Sequence, residues 1–288
     1  MYVLNPSRLS QPPVAKAGNG WGDDLAAVRF DPTDSHRLFT LRIDGSTPQV
    51  WTWDDKGDVT SPVVLPPAPL SPSAWLSWMA ISGDGRTLAA GDSEGAVHLW
   101  DARTGKLLDE NDLPGTGYQV TGVAFDRDGK TLAAATASGI RLLDLTTGRV
   151  RQLSFPNANI VAFDPSGDSV ASVSSDGRVR IWSTTGRFRE DLESRNDAVR
   201  SLAFSSDGSL IAGGTAKGLV QIWSVQSGRT VMISRQHSAW VNAVRFVAGD
   251  NSTLISARDD DTVARWVCRA CTDPEGTIQD AVRWAHSN

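Results

Sequence analysis

Apolar and polar residues alternate in short runs along most of this chain, and the runs are cut by Gly, Asp, Ser and Asn. A period of two with turn residues at its ends predicts strands joined by tight turns. Six stretches are versions of one another: "RIDGSTPQVWTWD", "AAGDSEGAVHLWD", "AAATASGIRLLDL", "SVSSDGRVRIWS", "AGGTAKGLVQIWS" and "SARDDDTVARWV". Each reads as a small-residue strand, a polar turn and an alternating strand that usually ends in Trp. Upstream of each lies a second phrase: "AAVRFDPTD", "WMAISGDG", "TGVAFDRDG", "NIVAFDPSG", "RSLAFSSDG" and "NAVRFVAGD". Its apolar anchors are Phe30, Ile81, Phe125, Phe163, Phe204 and Phe246, which lie 51, 44, 38, 41 and 42 residues apart.

That spacing brackets the period of a four-stranded propeller blade. Within each repeat four strands, a to d, are expected. Gly in Asp84-Gly85, Asp128-Gly129, Ser166-Gly167 and Asp207-Gly208 supplies the positive φ of the a–b hairpin turns. Near-continuous apolar runs imply sheets covered on both faces. In "VRIW", Val179 and Ile181 face one neighbour while Arg180 and Trp182 face the other. The expected fold is all-β, a closed β-propeller of six four-stranded blades, with a seven-bladed or truncated ring as alternatives. The sixth repeat shows no strand d after "ARWVC", and residues 2–5 of "YVLNP" read as an orphan strand d. They are expected to complete the last blade and close the ring, leaving no open edge. Residues 1–267 form the propeller in this reading. Residues 268–288 form a tail with a short helix capped by Thr272 or Asp273, with Ile278, Ala281, Val282 and Ala285 on one face.

Composition narrows the partners. Hydrophobic residues make up 40% of 288, enough for a core without metal or disulfide support. The net charge is −5 and no Lys/Arg block occurs, which speaks against a nucleic-acid partner. No run approaches the 18 or so apolar residues of a membrane span. The first residues lack the pattern of a secretory signal, and two Cys in a chain of this length fit a reducing compartment. A cytoplasmic protein, monomeric or part of a larger chain, is expected.

Little catalytic chemistry is visible. None of the four His stands in a metal-ligand spacing, and there is no nucleophile elbow or phosphate loop. His98, in "AVHLW", reads as a packed or edge histidine. Asp259, Asp260 and Asp261 form an acidic turn too committed elsewhere to hold a cation. Cys268-Arg-Ala-Cys271 reads as two ordinary thiols, with a redox pair or half a zinc site as the alternatives. No metal and no cofactor are expected.

The two recurring phrases resemble WD-repeat β-propellers over residues 1–267, most strongly in the fourth to sixth repeats, and in bacterial-type, degenerate form. The resemblance implies a structural tetrad of a His before strand a, a Ser or Thr in strand b, a b–c turn Asp and a strand-c Trp. The sixth repeat carries His237, Ser256, Asp260 and Trp266 at those positions, and the fourth carries Ser172, Asp176 and Trp182 without the His. The second has Glu94 at the Asp position beside Trp100, the fifth has Lys217 beside Trp223, and the third has Leu143 in place of Trp. In this reading His237 and Asp260 are buried structural partners and not a catalytic pair.

In the resembling family, b–c and d–a turns share one face, where partners dock. Carried over by position, that face includes Trp75, Gln119, Asn157, Asn159, Arg200, Trp240, Asn242 and Asp259, with Asp24, Ala26, Ser77, Ser93, Thr121, Ser175 and Ala198 among them. Trp and Arg are the residues that dominate interface energetics; the two Trp could equally plug a narrow channel mouth. The proline-rich "PVVLPPAPLSPSAW" reads as an extended wrapping connection or a second docking surface. The resulting expectation is a non-catalytic scaffold or sensor that binds a protein or peptide. The alternatives are an enzyme at the channel mouth and a C-terminal sensor fragment of a larger bacterial signalling protein.

Overall fold

The computed structural model describes residues 2–3, 15–16, 25–42, 47–108, 113–192, 197–234, 239–247, 249–258, 262–268 and 271. Among these every regular element is a strand. The chain divides into two compact units, residues 1–129 and 130–288.

The first unit holds two full sheets. The first runs a to d through Leu25–Phe30, Arg37–Arg42, Gln49–Thr52 and Val63–Val64. The second has strands Leu76–Ile81, Thr87–Asp92 and Val97–Asp101, and along the last of these it makes two bridges, Val97 to Leu113 and Trp100 to Leu107. Strand a of the third sheet, Val120–Phe125, also belongs here. The core between these sheets contains Phe39, Leu41, Leu76, Met79, Leu88 and Trp100. Gly91 has no room for a Cβ, which would meet Val120 Cγ1 at 2.3 Å, so the small residue in strand b is what lets the next strand approach.

The second unit holds the other three strands of the third sheet, Thr131–Thr136, Gly139–Asp144 and Val150–Leu153. The fourth sheet follows with Ala158–Phe163, Ser169–Ser174, Val179–Ser183 and Phe188–Leu192, and the fifth with Val199–Phe204, Leu210–Thr215, Val220–Ser224 and Thr230–Ser234. The sixth has Val241–Val247, Asp250–Arg258 and Val263–Val267. The split of "VRIW" is as expected. Val179 and Ile181 pack with Val199, Leu202 and Trp223 of the fifth sheet. On the other face the Trp182 ring meets Phe155 at 5.1 Å, and Arg180 lies over the same Phe155 ring.

The a–b turns use Gly as predicted, with φ of 67° at Gly85 and 74° at Gly208, but they are longer than two-residue hairpins. Ser82 N bonds Thr87 O and Gly85 N bonds back to Ser82 O, so the turn closes over four residues. The side chain of the first turn residue then captures the returning strand: Ser82 Oγ accepts from Thr87 N, Asp164 Oδ1 from Ser169 N and Ser205 Oγ from Leu210 N, each at 2.9 Å.

The second and sixth sheets have three strands among the described residues, and in the second Leu108 N bonds Leu99 O and Leu113 N bonds Val97 O along the edge where a fourth is expected. Two expectations need correction. Tyr2–Val3 pairs antiparallel with Ala15–Lys16, as a separate two-stranded sheet, and not with the sixth sheet. A match of so few residues leaves the partner strand undetermined by pattern. Cys268 and Cys271 are not free thiols but a disulfide. The turn in which Cys271 N bonds Cys268 O brings their Cα atoms to 5.3 Å, within bridging range, and both pack against Val241, Val244, Leu254 and Trp266. The bridge also removes the premise that linked the cysteine count to a reducing compartment. The expected C-terminal helix lies outside the described residues.

Candidate functional site

One backbone bond recurs where strand a begins. The residue just before the strand offers its carbonyl to the residue just after strand b: Ser93 N to Trp75 O at 2.9 Å, Ser175 N to Asn157 O at 2.9 Å and Ala216 N to Ala198 O at 2.8 Å. It locks each d–a connection to the b–c turn of the same sheet, and the pair of loops forms a fixed platform. Trp75, Asn157, Ala198 and Trp240 all occupy the position before strand a, as does Gln119 before Val120.

One residue further on, the ladder carries a bulge. Register slips between Leu25 and Ala27, Leu76 and Trp78, Ala158 and Ile160, Val199 and Ser201, and Val241 and Ala243. The skipped residues are Ala26, Ser77, Asn159, Arg200 and Asn242. A bulge leaves one residue out of the pairing and re-aims its side chain. This is why Arg200 is exposed although it sits inside a strand with buried neighbours on either side, and why Asn242 is exposed beside the buried Val241. Ser77 uses the same position differently, donating to Val120 O at 2.8 Å and tying the next strand in place.

Trp75 and Gln119 belong to the first unit, and Asn157, Asn159, Arg200, Trp240 and Asn242 to the second. Trp75 is 47% exposed and Trp240 46%, so neither is a buried plug. The Arg200 guanidinium lies 4.0 Å over the Trp240 ring. Gln119 and Asn157 are exposed and Asn159 is half-buried. Asn157 has a backbone reason for its identity, since its φ of 58° falls where Asn is the best tolerated residue after Gly. Asp24 and Asp259 lie outside the described residues. Sequence reasoning missed Trp78, 39% exposed, and Tyr118, 53% exposed, beside Trp75 and Gln119 in the chain. The tryptophan in "LSWMAI" reads as an inward strand residue until the bulge shifts its register.

The tetrad positions divide. Trp266 Nε1 donates to the buried Ser256 Oγ at 2.7 Å, while His237 and Asp260 lie outside the described residues. The first sheet makes the same bond, Trp51 Nε1 to Thr40 Oγ1 at 3.0 Å, with the Trp in both cases two residues along strand c from the hydroxyl's cross-strand partner. The Thr40 pair was missed because the "RIDGSTPQVW" turn is too long to align. In the fourth sheet the three residues do not assemble. Asp176 is exposed, bonded to the Ser174 hydroxyl and to Arg178, and Ser172 Oγ is buried with no partner. The Ser174 bond, reinforced by Arg178 against a small cost of burial, holds the Asp176 carboxyl below its ordinary value. In the fifth sheet the hydroxyl position is Gly213, where a Cβ would stand 2.8 Å from the Trp223 ring. Replacing Ser256 by alanine is expected to cost about 1–3 kcal/mol by stranding a buried indole N–H. Urea melts of Ser256→Ala, Trp266→Phe and the double variant should show the two single losses to be non-additive.

The second sheet holds a pair the sequence did not announce. Asp92 and His98, each 4% exposed, approach at 3.1 Å between Oδ2 and Nε2. Asp92 Oδ1 also accepts from Glu94 N at 2.9 Å and Ala96 N at 2.7 Å. Burial pushes the Asp92 carboxyl up, but the bonds from His98 and these two amides outweigh it and hold the value below normal. With Ala90 at the hydroxyl position, Trp100 Nε1 turns to Pro66 O at 3.0 Å. That bond, with Leu65 and Ala68 buried in the core, fixes the proline-rich segment as a wrapping connection.

Successive antiparallel sheets of three or four strands, each with small residues in strand b and an indole in most c strands, define the repeat of a β-propeller. The chain's repeats match those of WD-repeat β-propellers over part of its length. The model for the WD domain, G-beta repeat, matches residues 70–101 and 147–183, and that for the anaphase-promoting complex subunit 4 WD40 domain matches residues 180–248. Among solved structures, the RRP9 WD40 repeats share 17% identity over 87% of this chain and 78% of that one, with a TM-score of 0.72. U3-55K shares 17% over 87% and 79%, TM-score 0.71. The C-terminal WD40 domain of Sif2 shares 19% over 86% and 71%, TM-score 0.70. At these identities the likeness concerns the fold alone. No curated protein matches the chain.

Proposed function

We propose that this chain is a non-catalytic interaction propeller whose six sheets act as six blades, and that it docks a protein or peptide on the face built by its b–c turns and d–a connections. One observation carries the reading: the fold spends a bulge in sheet after sheet to present a side chain beside a loop position, and two of those loop positions hold half-exposed tryptophans. Large aromatic area left in water costs free energy that a partner recovers. The Asp92–His98 pair has the composition of an acid–base dyad, yet both members are buried and Asp92 is engaged with two backbone amides, so it serves the fold.

The test is a crosslinking pull-down from the native host with wild type and a Trp75→Ala/Trp240→Ala double variant. A defined partner should be retained by wild type and lost by the variant at unchanged melting temperature. Equal retention by both would remove the two tryptophans from the interface. Turnover of a small molecule that survives in the double variant would replace the scaffold reading with an enzymatic one.

A further inference from the structure

We infer that the fifth sheet carries a carboxylate-reading subsite, made by Arg200 and Lys217 beside the Trp240 indole, through which an acidic peptide segment of the partner is selected. This rests on the docking reading above and adds the chemistry of the occupant.

Two departures from the chain's own repeat coincide in this sheet. The bulge residue is uncharged in the four other sheets that show the bulge, as Ala26, Ser77, Asn159 and Asn242, but is Arg200 here. The b–c turn position that holds Glu94 in the second sheet, Asp176 in the fourth and Asp260 in the sixth holds Lys217 here. The Ala216 N to Ala198 O bond sets the two cations on either side of one loop junction, since Lys217 follows Ala216 and Arg200 lies two residues past Ala198. Both side chains are exposed, and neither has an ion pair or hydrogen bond among the described residues. Asp197, the acidic residue nearest to them in the described chain, is buried and bonded to neither. The net charge of the whole chain is −5, so this local cationic pair runs against the overall field.

The geometry favours a planar anion. Stacking on Trp240 fixes the plane of the guanidinium and leaves its N–H donors on the rim, where a carboxylate engages two of them in parallel. A guanidinium ordered beforehand loses less freedom on binding. Lys217 supplies a second, mobile point charge, and the exposed part of the indole offers apolar contact to the residue beside the acid.

The probe is a random-peptide phage library panned on the purified protein, followed by titration of synthetic forms of the enriched peptides. Enriched peptides should carry Asp or Glu next to an aliphatic or aromatic residue. Their affinity should fall at least about tenfold in Arg200→Gln and about threefold in Lys217→Gln. Arg200→Lys, which keeps charge and loses the planar fork, should remain clearly weaker than wild type. Changing the peptide's acid to its amide should reproduce the Arg200→Gln loss and add little to it. Enrichment of peptides without an acid, or acidic peptides indifferent to Arg200→Gln, overturns this inference and leaves the docking reading standing. No enrichment at all, by a protein that melts normally, counts against both.

Discussion

Asp92→Ala is expected to destabilise the chain by about 3–5 kcal/mol, because it leaves a buried histidine and two turn amides without their acceptor. Equilibrium urea unfolding measures it. Asp92→Asn keeps an acceptor for Glu94 N and Ala96 N and should cost clearly less. The carboxyl's folded pKa lies below its unfolded value, so its contribution is fully present above the unfolded value of about 4 and fades as pH falls through the folded one. The gap between wild type and Asp92→Asn should therefore narrow on acidification below about pH 4. A loss under about 1 kcal/mol for Asp92→Ala would show that the pair is not sealed from water.

Trp100→Ala should cost a similar amount, about 3–5 kcal/mol, since it empties the largest side-chain volume in the core between the first two sheets. The loss has a local signature as well. Trp100 Nε1 is the hydrogen bond that pins Pro66, so its removal should loosen the segment from Pro62 to Leu70. Trp100→Phe isolates that part: most of the packing stays, the bond goes, and limited proteolysis should cut within the segment before the rest of the chain opens. Proteolytic patterns identical to wild type would mean that Leu65 and Ala68 hold the wrap without the indole.

The strands and their turns were readable because period two and an Asp-Gly or Ser-Gly step state the chemistry directly. Phe163, Phe204 and their equivalents marked strand a in every repeat. Trp75, Gln119, Asn157, Arg200 and Trp240, singled out by their place at the start of strand a, are exposed. The bulge that exposes Arg200 was not readable, since an extra residue in a ladder leaves no mark on the apolar pattern. Alignment alone put Asp176 with Ser172 and Trp182, whereas Ser174, two residues upstream, competes for the same carboxylate and wins by proximity. Nothing in the sequence marked Asp92, because its partner, His98, enters from strand c and not from the position where the repeat places its histidine. The orphan "YVLNP" supplied a strand count without a register, and the count misassigned its partner.

The bulges have an evolutionary reading. A residue skipped by the ladder makes no backbone cross-strand pair, so its replacement leaves the backbone registers of strands a and b untouched, although Ser77 has side-chain bonds to lose. In five sheets that position already holds Ala26, Ser77, Asn159, Arg200 and Asn242, residues of different size, polarity and charge on the same backbone. The scaffold thus separates its vocabulary from its grammar: the letter shown at the bulge can change while the sheets stay as they are.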